Sequence, residues 1–383
     1  MKRVFCALIA LGLLAACAPG FSGGPTAGLA AAPPSGSTPV PLPIDAPLVD
    51  EPQLVSFHML NETDGWGVTD SAVVRTNDGG TTWHNVSPPG NQSLGYLTSS
   101  NFLDGRRAFI DAADPTDPMH AGTLYKTQDG GKTWVSNKLP FGNCQLRFFD
   151  DESGWAMVDM GVAAGSNAIA IFRTVDGGAR WEQEFINDPT VNGSSDEIPL
   201  GGLKQAFAAL DTRTAWVGGV IYSPATVYLY RTEDGGRHWA QVALEVPAGS
   251  EDAQLSIDAI QFVNANDGFV SMQVSGATNG RAVYVTHDAG KSWMLSPAIV
   301  PNGRVADFVS ATTGVIFDGG RFQVTHDAGQ SWEAVDPDIV FSESFMQMDF
   351  VNALTGWVLA FDPTTSRTSV YKTTDGGRTW VPQ

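Results

Sequence analysis

Carboxylates are the most abundant ionisable groups in this sequence. Its 383 residues hold 41 Asp and Glu against 22 Lys and Arg, a formal net charge of −19. Two carboxylates facing each other across a cleft can divide acid and base roles in glycoside cleavage. Asp70, Asp159, Asp318 and Asp362 each follow a short apolar run and are candidates for such a pair. Other chemistry is thinly supplied. Of six His, only His120 stands near loop acids, Asp114 and Asp117, and one imidazole with two carboxylates falls short of a metal set. No Gly-rich run opens a helix to cradle phosphate. Neither a metal nor a cofactor is expected. Cys144 lies in an apolar stretch and reads as a small buried residue.

The elements that must position these groups are set by a repeat. The pattern Thr-x-Asp-(Gly/Ala)-Gly-x-x-Trp occurs seven times, beginning at Thr76, Thr127, Thr174, Thr232, Thr286, Thr325 and Thr373. Successive copies start 39 to 58 residues apart, the spacing of a propeller blade. A short apolar strand precedes each Thr, and a Gly-aromatic or related strand lies upstream, as at Gly65-Trp66, Gly154-Trp155 and Gly356-Trp357. These signals predict an all-β fold, a seven-bladed β-propeller of four-stranded antiparallel blades over residues 53–383. The box lies between strands three and four of each blade. Its aspartates, Asp78, Asp129, Asp176, Asp234, Asp288, Asp327 and Asp375, are structural, because a carboxylate there can accept N–H bonds from the turn it opens. Glycine at the fifth position permits positive φ. The short last strand, Thr379 to Pro382, leaves an edge that residues near 41–50 could extend.

The N-terminus has different grammar. Lys2 and Arg3 precede an apolar stretch from Val4 to Ala16, and Leu14-Ala15-Ala16-Cys17 resembles a bacterial lipobox. Residues 1–16 are therefore read as a lipoprotein signal peptide, with Cys17 the lipidated residue. The sequence of 17–52, rich in Gly, Pro and Ala, is read as a flexible tether. The expected location is extracytoplasmic, with the membrane reached through the lipid alone. Loss of Lys2 and Arg3 with the signal would move the net charge from −19 to −21. Such a charge disfavours nucleic acid, whose phosphates need clustered Lys and Arg.

The Thr-x-Asp-Gly-Gly-x-x-Trp boxes resemble the Asp-box (BNR) repeat of sialidases, xyloglucanases and sortilin-type receptors. Combined with Gly-Trp in the second strand, the pattern is most similar to the photosystem II assembly/stability factor-like family. That resemblance covers about residues 53–383. It implies a non-enzymatic propeller that binds a membrane-protein partner during assembly, typically through an arginine-rich patch.

In such a fold the fourth-to-first and second-to-third strand loops share one face. The acidic residues assigned to it are Asp70, Asp111, Asp114, Asp117, Asp159, Asp188, Asp196, Glu197, Glu245, Glu251, Asp252, Asp318, Asp336, Asp338, Glu343 and Asp362. Arg281 and Arg367 are nearly its only strong bases, and Tyr222 is its one tyrosine. The field of such a face favours cationic or basic partners. All 11 tryptophans are spent, seven closing boxes and four in second strands, so little is left for a sugar platform. Arg75, Arg173 and Arg231 precede box threonines and do not form the cluster that a sialidase needs. The sequence thus favours a surface-tethered binding or assembly propeller with a protein partner. The alternative is a glycoside hydrolase, sialidase-like or xyloglucanase-like, that uses paired axial carboxylates on a glycan.

Overall fold

The alternating apolar runs form antiparallel hairpins because each strand can bury one row of side chains against the next sheet. The computed structural model describes residues 41–43, 45–90, 94, 98–277 and 279–383. The expected signal peptide and lipidated Cys17 lie outside the described residues. The first sheet contains β1 (Leu48–Val49), β2 (Leu54–Met59), β3 (Gly65–Thr69), β4 (Val73–Thr76) and β5 (Trp83–Asn85), in the order β1-β5-β4-β3-β2. The next two are four-stranded meanders. One holds β6 (Ser99–Phe102), β7 (Ala108–Ala113), β8 (Gly122–Thr127) and β9 (Val135–Leu139). The other holds β10 (Cys144–Phe148), β11 (Gly154–Ala163), β12 (Ser166–Thr174) and β13 (Glu182–Ile186).

A nine-stranded sheet follows. Its strands are β14 (Leu203–Ala209), β15 (Ala215–Val220), β16 (Tyr228–Thr232), β17 (Ala240–Gln241), β18 (Gln254–Phe262), β19 (Gly268–Ser275), β20 (Gly280–Thr286), β21 (Met294–Leu295) and β22 (Val300–Pro301). Two more four-stranded meanders complete the fold. These are β23 (Val305–Phe308), β24 (Gly314–Phe317), β25 (Phe322–Thr325) and β26 (Glu333–Val335), then β27 (Phe345–Phe350), β28 (Gly356–Asp362), β29 (Arg367–Thr373) and β30 (Val381–Pro382).

The chain is an all-β propeller, but the expectation of seven four-stranded blades is overturned. Five sheets stand as discrete blades, one of them five-stranded, and residues 203–301 make one continuous sheet. The join is the antiparallel pairing of Val220 on β15 with Ser256 on β18. Glycine accounts for the close approach of β18. A Cβ on Gly218 would stand 2.6 Å from Ile257 Cγ2. Without a side chain there, the two strands can meet. Box spacing counts turns and is blind to such an approach.

The box is built as its residue types require. Each Thr is buried, and its hydroxyl donates to Oδ1 of the box Asp at 2.8–3.0 Å. The Thr hydroxyl oxygen in turn accepts the N–H of the fifth-position Gly at 2.8–3.0 Å. Oδ1 also accepts the N–H of the seventh residue. Both glycine positions, fourth and fifth, take positive φ. Ala289 and Ala328 occupy the fourth position in two boxes at φ 61° and 59°, a conformation that strains a Cβ.

Apolar clusters lie between neighbouring sheets rather than inside any one. Leu54, Phe57 and Trp83 of the first sheet pack with Trp357, Leu359 and Val370 of the last. The arginines before the boxes belong to this packing. Arg75, Arg173 and Arg231 sit opposite Trp66, Trp155 and Trp216 in register and stack on their rings at 4.9, 5.2 and 5.4 Å. Lys126 on Phe109 and Lys372 on Trp357 repeat the arrangement. Four of these cations then reach across to a carbonyl of the next sheet: Gly130, Asp151, Gly235 and Glu62.

Ring closure needs no exchanged strand. Among the described residues the expected pairing of residues near 41–50 with the last strand is not seen. Instead β1 pairs with β5 of its own sheet, and β30 pairs with β29. Closure is made by side chains of β27. Gln347 donates to the Phe57 carbonyl at 2.7 Å and accepts the Phe57 N–H at 3.3 Å, while Asp349 accepts the Met59 N–H at 2.6 Å. The same kind of bond joins other sheets, from Asn101 to the Phe148 N–H, Gln261 to Phe308 and Asp307 to Phe350.

Two outcomes follow for stability. Gln347→Ala should cost about 2 kcal/mol, since it leaves buried peptide groups of Phe57 unpaired, and should lower the thermal midpoint of the full chain. Ala289→Gly should instead raise stability by up to about 1 kcal/mol, because glycine adopts the left-handed region without strain. Differential scanning calorimetry reads both.

Candidate functional site

The loop acids singled out in the sequence are held mostly by their own turns. Asp114 accepts the Thr116 N–H and hydroxyl at 2.8 and 2.6 Å, and these bonds hold its carboxyl below the usual range. Asp117 pairs with Nδ1 of His120 at 2.8 Å, both exposed. Asp159 lies at a bulge in β11 and accepts the Gly161 N–H at 2.8 Å. Asp318 accepts the N–H groups of Gly320 and Arg321 and the Gln323 side-chain amide. Asp362 ends β28 and accepts the Thr364 N–H, a bond that lowers its pKa. Asp70 is exposed beside β3, and its carbonyl accepts the Leu94 N–H. Arg367 is paired with Glu51. No hydrogen bond or ion pair links any two of Asp70, Asp159, Asp318 and Asp362 among the described residues. Among those residues there is also no group of three or more metal-ligating side chains.

Asp111 is placed differently from its neighbours. It lies within β7, fully buried, and its Oδ2 accepts the Cys144 thiol at 3.1 Å. Burial pushes its pKa up to about 7, against the smaller opposing effect of the thiol bond. Asp307, on β23, is also raised, first by burial and then by the nearby Asp349 carboxylate. The box aspartates go the other way. For Asp288 and Asp327 the Ser292 and Ser331 hydroxyls are the leading cause, with N–H bonds adding, and both fall to about 2.

What the carboxylates leave free is an apolar patch. Tyr222 is 65% exposed, Val162 53% and Leu200 38%. The sequence pointed to Tyr222 but missed the other two. Their signal was the unusual length of the hairpin around Gly161 and Gly165, which carries Val162 beyond the sheet. Next to Leu200, residues 187–200 shape a shallow, open cavity of about 640 Å³, lined in part by Asn187, Val191, Ser195 and Asp196.

Fold and face together define a β-propeller whose loops offer carboxylates bound into turns and an exposed apolar patch. Among solved structures the chain is similar to YCF48 bound to D1 peptide, at 17% identity and a TM-score of 0.54, covering 85% of this chain and 95% of that one. It is likewise similar to YCF48 from Cyanidioschyzon merolae, at 17% identity and a TM-score of 0.50, covering 88% and 98%. At such identity the likeness is one of fold. No protein-family model matches the chain, and no curated protein matches it in sequence.

The opposed shifts set a pH optimum for stability. The box aspartates contribute fully above their unfolded value near 3.8, and this is lost as pH falls toward about 2. Asp111 and Asp307, raised on folding, contribute most while protonated, and that contribution is lost as pH rises from 3.8 toward about 7. Thermal midpoints should therefore peak near about pH 4–5. Asp111→Asn, which keeps the acceptor without the charge, should flatten the decline between about pH 5 and 7.5. An unchanged slope in that variant would remove Asp111 from the account.

Proposed function

We propose that this chain is a lipid-anchored, extracytoplasmic Asp-box propeller that binds a protein partner through its loop face and catalyses no reaction. One observation carries the reading. Of the four carboxylates that could form a catalytic pair, Asp159, Asp318 and Asp362 are occupied in bracing their own turns, whereas large apolar side chains on the same face remain exposed. Exposed apolar groups rimmed by polar residues are a feature of protein-binding surfaces. The fold likeness to YCF48, a structure of which contains a bound D1 peptide, supports a peptide or protein ligand for this scaffold. The acidic loops favour a partner segment of positive charge. Tethering follows from the lipobox-like Leu14-Ala15-Ala16-Cys17.

The test is retention of a partner by the full-length lipoprotein purified from membranes of its own cells. A specific membrane or extracytoplasmic protein should co-purify, and Cys17→Ala should shift the chain into the soluble fraction. A glycan-hydrolysis screen is the counter-test. Turnover abolished by Asp159→Asn or Asp362→Asn alone would replace this reading with the glycoside hydrolase.

A further inference from the structure

The hairpin of β11 and β12 outruns the strands on either side of it. β10 pairs with Gly154–Val158 and β13 ends opposite Ala170, and beyond Asp159 and Ile169 the tip at residues 160–168 runs past both strands. A bulge between Asp159 and Val162, with Gly161 at φ 109°, bends this extension. Val162 is paired with Asn167, and cross-strand partners share a face. Asn167 accepts the Lys204 N–H at 2.8 Å, so this face looks toward β14 and the loop before it.

Three exposed apolar residues border this tip: Val162 on the hairpin itself, with Leu200 and Tyr222 on the loops beside it. Ser166 at the hairpin tip bridges to Gly202, two residues from Leu200. The ring of Tyr222 comes within 3.0 Å of where a Cβ on Gly165 would stand. Beneath them Lys204 is buried, and its ammonium donates to the carbonyls of Asn167, Leu200 and Gly202, so its three N–H groups are spent on the scaffold. The loops that carry the patch, 159–167, 187–203 and 218–226, contain no Lys or Arg, and of their acids Asp159, Asp188 and Asp196 stand in the loops while Glu197 is turned to the Trp239 N–H.

We infer that Val162, Leu200 and Tyr222 form the docking point for an extended cationic segment of a protein partner. One apolar side chain of that segment seats among the three residues, with its basic neighbours over the surrounding carboxylates. This rests on the binding reading above and adds its place and its ligand chemistry. Charge complementarity selects the occupant, because an apolar anchor alone would suit many partners, whereas the adjoining loops accept only cations. Tyr222 supplies a rigid amphipathic contact at low entropic cost.

The probe is a fluorescent dodecapeptide alternating Lys with Leu, compared with its Glu-Leu counterpart, with binding to the full chain followed by anisotropy. The Lys-Leu peptide should bind, weaken as salt rises, and outbind the Glu-Leu peptide at least tenfold. The double variant Val162→Ser, Tyr222→Ala changes no charge and should weaken binding about tenfold, a loss of roughly 1.4 kcal/mol. Phe361→Ser, another exposed apolar residue on β28, should leave binding unchanged. Equal binding by the two patch states, or by the two peptides, overturns the proposal. So does a dimer in light scattering that Tyr222→Ala dissolves, since a second copy would then be the occupant. If the double variant still retains the wild-type partner from membranes, this site falls while the binding function stands. If the wild type retains no partner at all, the binding function itself falls.

Discussion

Sheet-to-sheet contact is the constraint on which the rest of this molecule depends. A single four-stranded sheet has two faces and no core of its own, so each must bury both faces against its neighbours around a closed ring. The cross-strand pair of a cation and an aromatic ring serves that need twice over. Trp66, Trp155 and Trp357 fill the gap between sheets, and each indole N–H donates to a carbonyl of the next sheet, at Asp104, Asp211 and Gly79. Arg75, Arg173 and Lys372 lie over those rings and bond to the same neighbouring sheets. A desolvated cation over a ring is worth about 2 kcal/mol or more, and repetition around the ring makes the sum large.

The boxes support this packing from the edge. A buried Thr hydroxyl donates to the Asp carboxylate and accepts from the Gly N–H, which sharpens the turn enough for the Trp that follows to fold back. The glycines bear on packing as well as on conformation. A Cβ on Gly178 would stand 2.1 Å from Leu124 of the preceding sheet, and one on Gly131 would stand 2.6 Å from Val86. Turn geometry and inter-sheet distance are therefore set by the same residue. The opposite loops are less constrained by this packing. There the hairpin of β11 and β12 can lengthen, and Tyr222 can stay in solvent, without disturbing the ring.

Much of the fold was legible in the sequence, and particular residues show where legibility stopped. The seven boxes and their strand–turn–strand setting could be read because the motif is local: Thr, Asp and Gly interact within five residues. Arg75 and Arg173 were read as parts of the repeat, but their stacking partners lie on a different strand. The fusion of β15 with β18 turns on Gly218, which resembles an ordinary strand glycine until the neighbouring Ile257 is in place. Asp111 was read as a loop acid. It proved to be a buried strand residue because β7 runs to Ala113, further than its alternation suggested.

The sequence by itself determined the all-β propeller class, the seven turns and the residues that build them, since each is a short-range arrangement with its own chemical signature. It also supplied the acidic balance of the loops, which composition states directly. The tertiary structure alone decided how many sheets stand separate, how Gln347 and Asp349 close the ring on Phe57 and Met59, and which loop carboxylates are spent on their own turns. It alone set Tyr222 and the segment that holds Leu200 beside the hairpin that carries Val162. The physical reason is the same in each case. These are contacts between segments tens to hundreds of residues apart, fixed by how sheets pack in three dimensions and not by any pattern along the chain.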